Sequence, residues 1–193
     1  KTSFRRNNIM DREFTKTRLN NLISSVELDQ EERQCKVYLL HGDLAEAEMQ
    51  ALYAKMDCMV TTTHGEGFGL PLFEFALHGK PIIAPDWSGH LDFLVNNKKK
   101  PGFMPVRYDI QPISKSAVVP NTLIPESMWC YPQEGSFKQR LRQVRKSDKW
   151  LKRAQEHVSY IRENFAEESI NKQFCSSINN ETQVEENDFE IIL

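Results

Sequence analysis

Three short runs rich in apolar and β-branched residues, CKVYLL at 35–40, DCMVTTT at 57–63 and PIIAP at 81–85, are separated by stretches whose apolar residues recur at helical spacing. That alternation is the strongest constraint on the fold, because strands that follow one another through helices pair in parallel, with the helices packed against the sheet. The expected class is α/β: a parallel sheet with helices on both faces, followed by further helices. The first run should be a buried strand that stops at His41-Gly42. Asp43 with Glu46 three residues on matches a capping box, and Leu44, Met49, Leu52, Tyr53 and Met56 give one apolar face, so a helix is expected over 43–56. Pro71 stands where a helix can begin and Gly79 where one can end, which places a short helix at 71–78.

Outside this repeat the signals are plainer. Residues 11–26 carry Phe14, Leu19, Leu22, Ile23 and Val26 at mostly helical spacing, and a polar loop, ELDQEERQ, follows. DWSGHLDFLVNN reads as a turn leading into a short helix. From Lys98 to Gln133 the chain is rich in Pro and isolated aromatics, an ordered excursion whose Trp129 and Tyr131 should dock on the core. Two or three helices are expected over 136–178, and 179–193 is an acidic tail. Residues 1–178 are therefore read as one domain. KTSFRRNNIMD opens without Met, as if a strand had been cut just upstream, so the expectation is a piece of a longer protein.

Composition excludes several functions. With 193 residues, 39% of them hydrophobic, there is material for a core, and a formal charge of -2 provides no field to gather nucleic acid. No apolar run is long enough to span a membrane and no signal-peptide layout is present, so a cytoplasmic chain is expected. Cys35, Cys58, Cys130 and Cys175 form no C-x-x-C pair and are read as reduced, mostly buried thiols. His41, His64, His78 and His90 have no metal-ligand spacing, and there is no DxD-like pair for Mg²⁺; no metal and no cofactor are expected.

The chemistry concentrates at THGEGFGLPLFE, residues 63–74, where a strand candidate meets a helix start. In open parallel sheets ligands bind beyond the carboxyl ends of the strands. Gly65, Gly67 and Gly69 let the backbone bend and a ligand approach it. The amides of Phe68 to Leu70 would then face a phosphate or a polyhydroxyl at the helix start. Glu74, expected on the first turn, is favoured as a carboxylate by the helix dipole and suits a ribose diol. Glu66, on the loop before the bend, reaches another part of the same ligand.

The segment GEGFGLPLFEFALHGKPIIAPDWSGHLDFL strongly resembles the donor site of retaining GT-B glycosyltransferases, in which two acids are spaced E-x7-E around a G-[EG]-F-G-[LM]-P core. Glu66 and Glu74 match those acids, and HGDLAEAEMQALY and WCYP extend the likeness up and down the chain. The resemblance implies a C-terminal half that binds a nucleotide-diphosphate sugar, with a separate N-terminal acceptor domain as its partner. It implies that Glu74 binds ribose, that Glu66 meets the donor sugar as the catalytic-site acid, and that the Gly67 to Leu70 amides meet sugar and phosphate oxygens. His41, Gly42 and Leu44 would then lie near the base. Arg5-Arg6-Asn7 looks like the family's basic pair, but the interval to Glu66 is short for the intervening strand, helix and strand, so a pair further upstream is expected, with Arg5 and Arg6 as the alternative phosphate-binding residues. Fixed cations and amides aimed at the leaving diphosphate would lower the barrier to transfer. A nucleotide-sugar epimerase on the same scaffold and a non-catalytic nucleotide- or sugar-binding module are the other readings. His64, beside the glycine loop, is the histidine best placed to act; Trp129 is expected in the core. Sugar, base, acceptor and oligomeric state are not written in the sequence.

Overall fold

The computed structural model describes residues 11–25 and 35–181. Arg5, Arg6, the ELDQEERQ loop from Val26 onward to Gln34 and the acidic tail beyond Glu181 lie outside the described residues. The chain divides into two compact units, Lys1–Leu52 and Tyr53–Leu193.

In the first unit, α1 spans Arg12–Ser25, as the helical spacing predicts. Its apolar residues are not a buried stripe, however: Phe14 and Leu22 are exposed, and the fully buried position is Thr15. CKVYLL is not a strand. Residues 35–40 have no regular structure and Tyr38 is 83% exposed. β-branched and aromatic content marks a residue that fits a half-buried pleated surface, and here no described strand offers one. Helix α2 begins later than the capping box predicts, spanning Glu46–Lys55. The Ala45 amide donates to Glu48 Oε2 at 2.8 Å, so one half of a capping box is made two residues downstream of the Asp43–Glu46 pair, and Ala45 has no side-chain oxygen to complete it.

The second unit contains the sheet. β1 (Met59–Val60), β2 (Ile82–Pro85) and β3 (Met104–Val106) lie parallel in that order, with Met59 opposite Ile82 and Ile83 opposite Met104. Helix α3 (Leu70–Ala76) connects β1 to β2, and α4 (Leu91–Leu94) connects β2 to β3. The central strand β2 is buried at all four positions, as a strand covered on both faces must be. β3 falls inside the stretch read from sequence as irregular. Pro105 conceals it, yet β3 is a sheet edge, where a missing N–H costs nothing. A core of Ile83, Met104 and Val106 is covered by Phe137, Val144 and Trp150 from the helices α5 (Glu134–Lys146) and α6 (Lys149–Asn164). α7 (Glu167–Glu181) makes three C-terminal helices where two or three are expected.

The excursion is ordered. β4 (Tyr108–Pro112) and β5 (Met128–Pro132) pair antiparallel, Ile110 opposite Cys130, and the long connection between them carries a 3₁₀ turn at Lys115–Ala117. Of the four thiols Cys130 is buried and Cys58 half-buried, while Cys35 and Cys175 are exposed, so the cysteines are not mostly buried. Burial pushes the Cys58 thiol up to about 11, with Asp57 adding to it, and leaves it inert at neutral pH.

Candidate functional site

The loop from Thr63 to Gly69 leaves the carboxyl end of β1 and turns into α3. Its bend is at Gly69, buried, with φ 84°, the residue immediately before the helix. A side chain there would be strained by the left-handed backbone and would crowd Leu72, while His90 and the Glu66 side chain, whose Cγ is 3.7 Å from the position a Cβ would take, would lie in ordinary contact. Pro71 follows inside the first turn.

Glu66 is fixed through its backbone. Its N–H donates to Ser88 Oγ at 2.6 Å, the same hydroxyl donates back to the Glu66 carbonyl at 2.5 Å, and the Gly89 N–H reaches that carbonyl at 3.0 Å. The turn that does this, just after β2, is strained at Ser88, φ 92°, and has no room for a side chain at Gly89, where a Cβ would run into the Gly67 carbonyl. The Glu66 side chain is half-buried, and no described residue hydrogen-bonds its carboxylate. The backbone is committed and the acid is not.

Glu74 differs. It is the fifth residue of α3, beyond the first turn, so the helix dipole expected to favour it is weak there. Its partner is the Tyr53 hydroxyl, which donates to Oε2 at 3.0 Å. Burial first, then that hydrogen bond and the carboxylate's charge, push the Tyr53 phenol up to about 12, so it remains a donor throughout the neutral range. Tyr53 is set in place because Lys80 donates to the Tyr53, Ala54 and Met56 carbonyls at 3.2, 2.6 and 2.6 Å, closing the end of α2.

The remaining predicted residues divide clearly. Gly65 and Gly67 are exposed on the loop, and Leu70 is exposed as the first residue of α3. The Phe68 ring turns away from the bend into a cluster with Phe73, Phe93 and Phe165, at 5.3, 5.0 and 6.3 Å between centroids. His41, Gly42 and Leu44 belong to the first unit. Sequence reasoning missed Tyr53, Ser88, Gly89 and Cys130. The Ser88-Gly89 pair is a turn signal, but nothing local tells which loop, 22 residues away, it will hold. Trp129 is half-buried and stacks on His64 rather than joining the core.

His90 is the buried residue behind Gly69, its Nε2 2.8 Å from the Pro85 carbonyl, which can only accept. A concavity of about 560 Å³ opens beside α4, with Asp86, Asp92, Asn96, Lys99 and Tyr160 in its wall; neither Glu66 nor Glu74 lines it. Among the described residues no group of three His, Cys, Asp or Glu side chains is arranged to hold a metal ion, and no helix is long and apolar enough to cross a membrane.

A parallel α/β sheet whose first strand runs through a glycine bend into a helix is consistent with a Rossmann-like half of the GT-B type. Residues 21–114, just under half of the chain and including Glu66, Glu74 and all of α3, match the family model described as "Glycosyl transferases group 1", which establishes the resemblance to that family over this segment and associates the chain with glycosyl transfer. No curated protein matches the chain.

Proposed function

We propose that this chain is the donor-binding half of a retaining glycosyltransferase, taking a nucleotide-diphosphate hexose and passing the sugar to an acceptor held by another domain. Glu66 accepts hydrogen bonds from the donor sugar and orients its anomeric carbon. Glu74, with one oxygen engaged by Tyr53, uses its other to accept from a ribose hydroxyl. The amides of Gly67 to Leu70 receive sugar and phosphate oxygens, and His41, Gly42 and Leu44 contribute to the base site. Arg5 and Arg6 are the sequence candidates for neutralising the diphosphate.

The observation that carries this reading is the contrast within Glu66: three hydrogen bonds fix its backbone while its carboxylate has no described protein partner. A half-buried acid aimed by a rigid loop and left unpaired is arranged for a ligand. Calorimetric titration with UDP, GDP and ADP and with their hexose conjugates tests it, the conjugate binding more tightly than the bare nucleotide. Transfer by the full-length protein should fall about 100-fold in Glu66→Gln, which keeps the shape but weakens the acceptor. Unchanged transfer in that variant removes Glu66 from the reaction; binding of nucleotide without transfer in the wild type leaves a non-catalytic module.

A further inference from the structure

A second hold on the glycine loop comes from a part of the chain that the donor site does not include. His64, two residues before Glu66, lies flat against Trp129, with ring centroids 4.9 Å apart and planes 11° from parallel, and Tyr131 meets it at 4.7 Å. His64 Nδ1 is 2.6 Å from the carbonyl of Cys130, which sits between those two aromatics on β5. A carbonyl only accepts, so Nδ1 carries the proton. In return the Cys130 N–H reaches the His64 carbonyl at 3.4 Å. Cys130 is itself fully buried and anchored by pairing with Ile110.

These bonds complete a series. Thr63 Oγ1 accepts from the Gly65 N–H at 3.4 Å and donates to the Gly65 carbonyl at 2.9 Å. Cys130 brackets His64, and Ser88 with Gly89 brackets Glu66. Each glycine of such a loop has more conformations to lose than an ordinary residue, so a site built on one is as rigid as its attachments make it. The glycine bend supplies the shape and the two brackets supply the order. Sequence gives no warning of the second bracket, because its parts are 66 residues apart.

We propose that His64 is a positioning residue for the Glu66 loop: stacked on Trp129 and bonded to the Cys130 carbonyl, it latches the β4–β5 hairpin to the donor loop, and this latch sets how well Glu66 is aimed. The proposal rests on the donor-site reading for its consequence in catalysis, but the latch itself is a property of the unliganded chain. The hairpin is then part of the binding machinery, and substitutions at Trp129 act on the sugar site without touching the sugar.

Amide hydrogen exchange on the whole chain tests the latch directly. In His64→Ala and in Trp129→Leu, the hydrogen-bonded amides of Gly65 and Glu66 should exchange about tenfold faster or more, while those of β2 keep wild-type protection. Trp129→Phe, which retains a stacking ring, should restore most of the protection and remains informative if Trp129→Leu fails to fold. Loop exchange at the wild-type rate in His64→Ala, or equal loosening of Trp129→Phe and His64→Ala, overturns the proposal. In the full-length enzyme His64→Ala should lower kcat about 10–100-fold with a smaller change in KM, since misaim of the acid is felt most in the transition state; a change confined to KM also overturns it. If exchange responds as expected but the wild type binds no nucleotide sugar, the latch stands and the donor-site reading falls.

Discussion

Two glycines in this molecule sit where no side chain fits, and they do opposite work. At Gly89 the space is taken by the Gly67 carbonyl, a polar backbone group on an exposed loop. At Gly102 it is taken by the His157 ring, which is buried, donates from Nε2 to the Phe93 carbonyl at 2.8 Å, and packs Tyr160 behind it. The first close approach aims a loop and the second seals α6 against the segment entering β3. A lesion at Gly89 should therefore appear in ligand chemistry, and one at Gly102 in stability.

Gly102→Ala gives the largest expected effect. The added methyl would overlap the buried His157 ring and must displace it from its bond to the Phe93 carbonyl, costing about 3 kcal/mol in denaturant unfolding, with the residual folded protein still binding donor. Selective loss of donor binding with normal stability would erase the distinction between the two sites. Gly89→Ala comes next: its Cβ would meet the Gly67 carbonyl, so it should push the Glu66 loop out of place and lower transfer about 100-fold, equivalent to about 2.7 kcal/mol, with a smaller shift in unfolding than Gly102→Ala gives because the loop is exposed.

Smaller effects separate the polar partners. Tyr53→Phe removes the hydroxyl that holds Glu74 and should cost about 1 kcal/mol. It should also change the alkaline limb of the stability curve. The unfolded phenol ionises near 10 and the folded one near 12, so the unfolded state gives up its proton first and stability falls as pH rises through that interval. The variant should lose this fall; a pH titration of the unfolding midpoint reads it. His157 behaves in the opposite sense. Burial holds its pKa below the ordinary 6.5, with the Arg153 charge adding to the effect against the bond to Phe93, so the unfolded chain takes up a proton that the folded ring does not, and stability falls as pH drops past that value. Smallest of all, Phe174→Ser on α7, a residue 65% exposed, should remain within about 0.5 kcal/mol of wild type.

The parts of the fold that sequence announced were those with a strong local signal. The four buried residues of β2, the Pro71 start of α3 with Gly79 beyond its end, and the periodic apolar positions of α5 to α7 all lie where spacing puts them. CKVYLL misled because strand propensity describes a side chain's fit to a sheet that must exist beside it. β3 was hidden because Pro105 lowers propensity at a position where the sheet edge makes the loss harmless.

The sequence by itself determined the strand–helix–strand succession from β1 through α3 to β2, the glycine bend at residues 65–69 and the presence of two acids eight positions apart, since each follows from backbone sterics and from periodicity over a few residues. Tertiary structure alone decided how those acids are held. Ser88 and Gly89 hold the Glu66 backbone, Tyr53 engages the Glu74 carboxylate, and Cys130 with Trp129 holds His64. The partners are 21 to 66 residues apart in the chain. A hydrogen bond or a ring stack depends on a separation of a few ångströms, and only packing of the sheet, its helices and the hairpin brings such distant residues within that range.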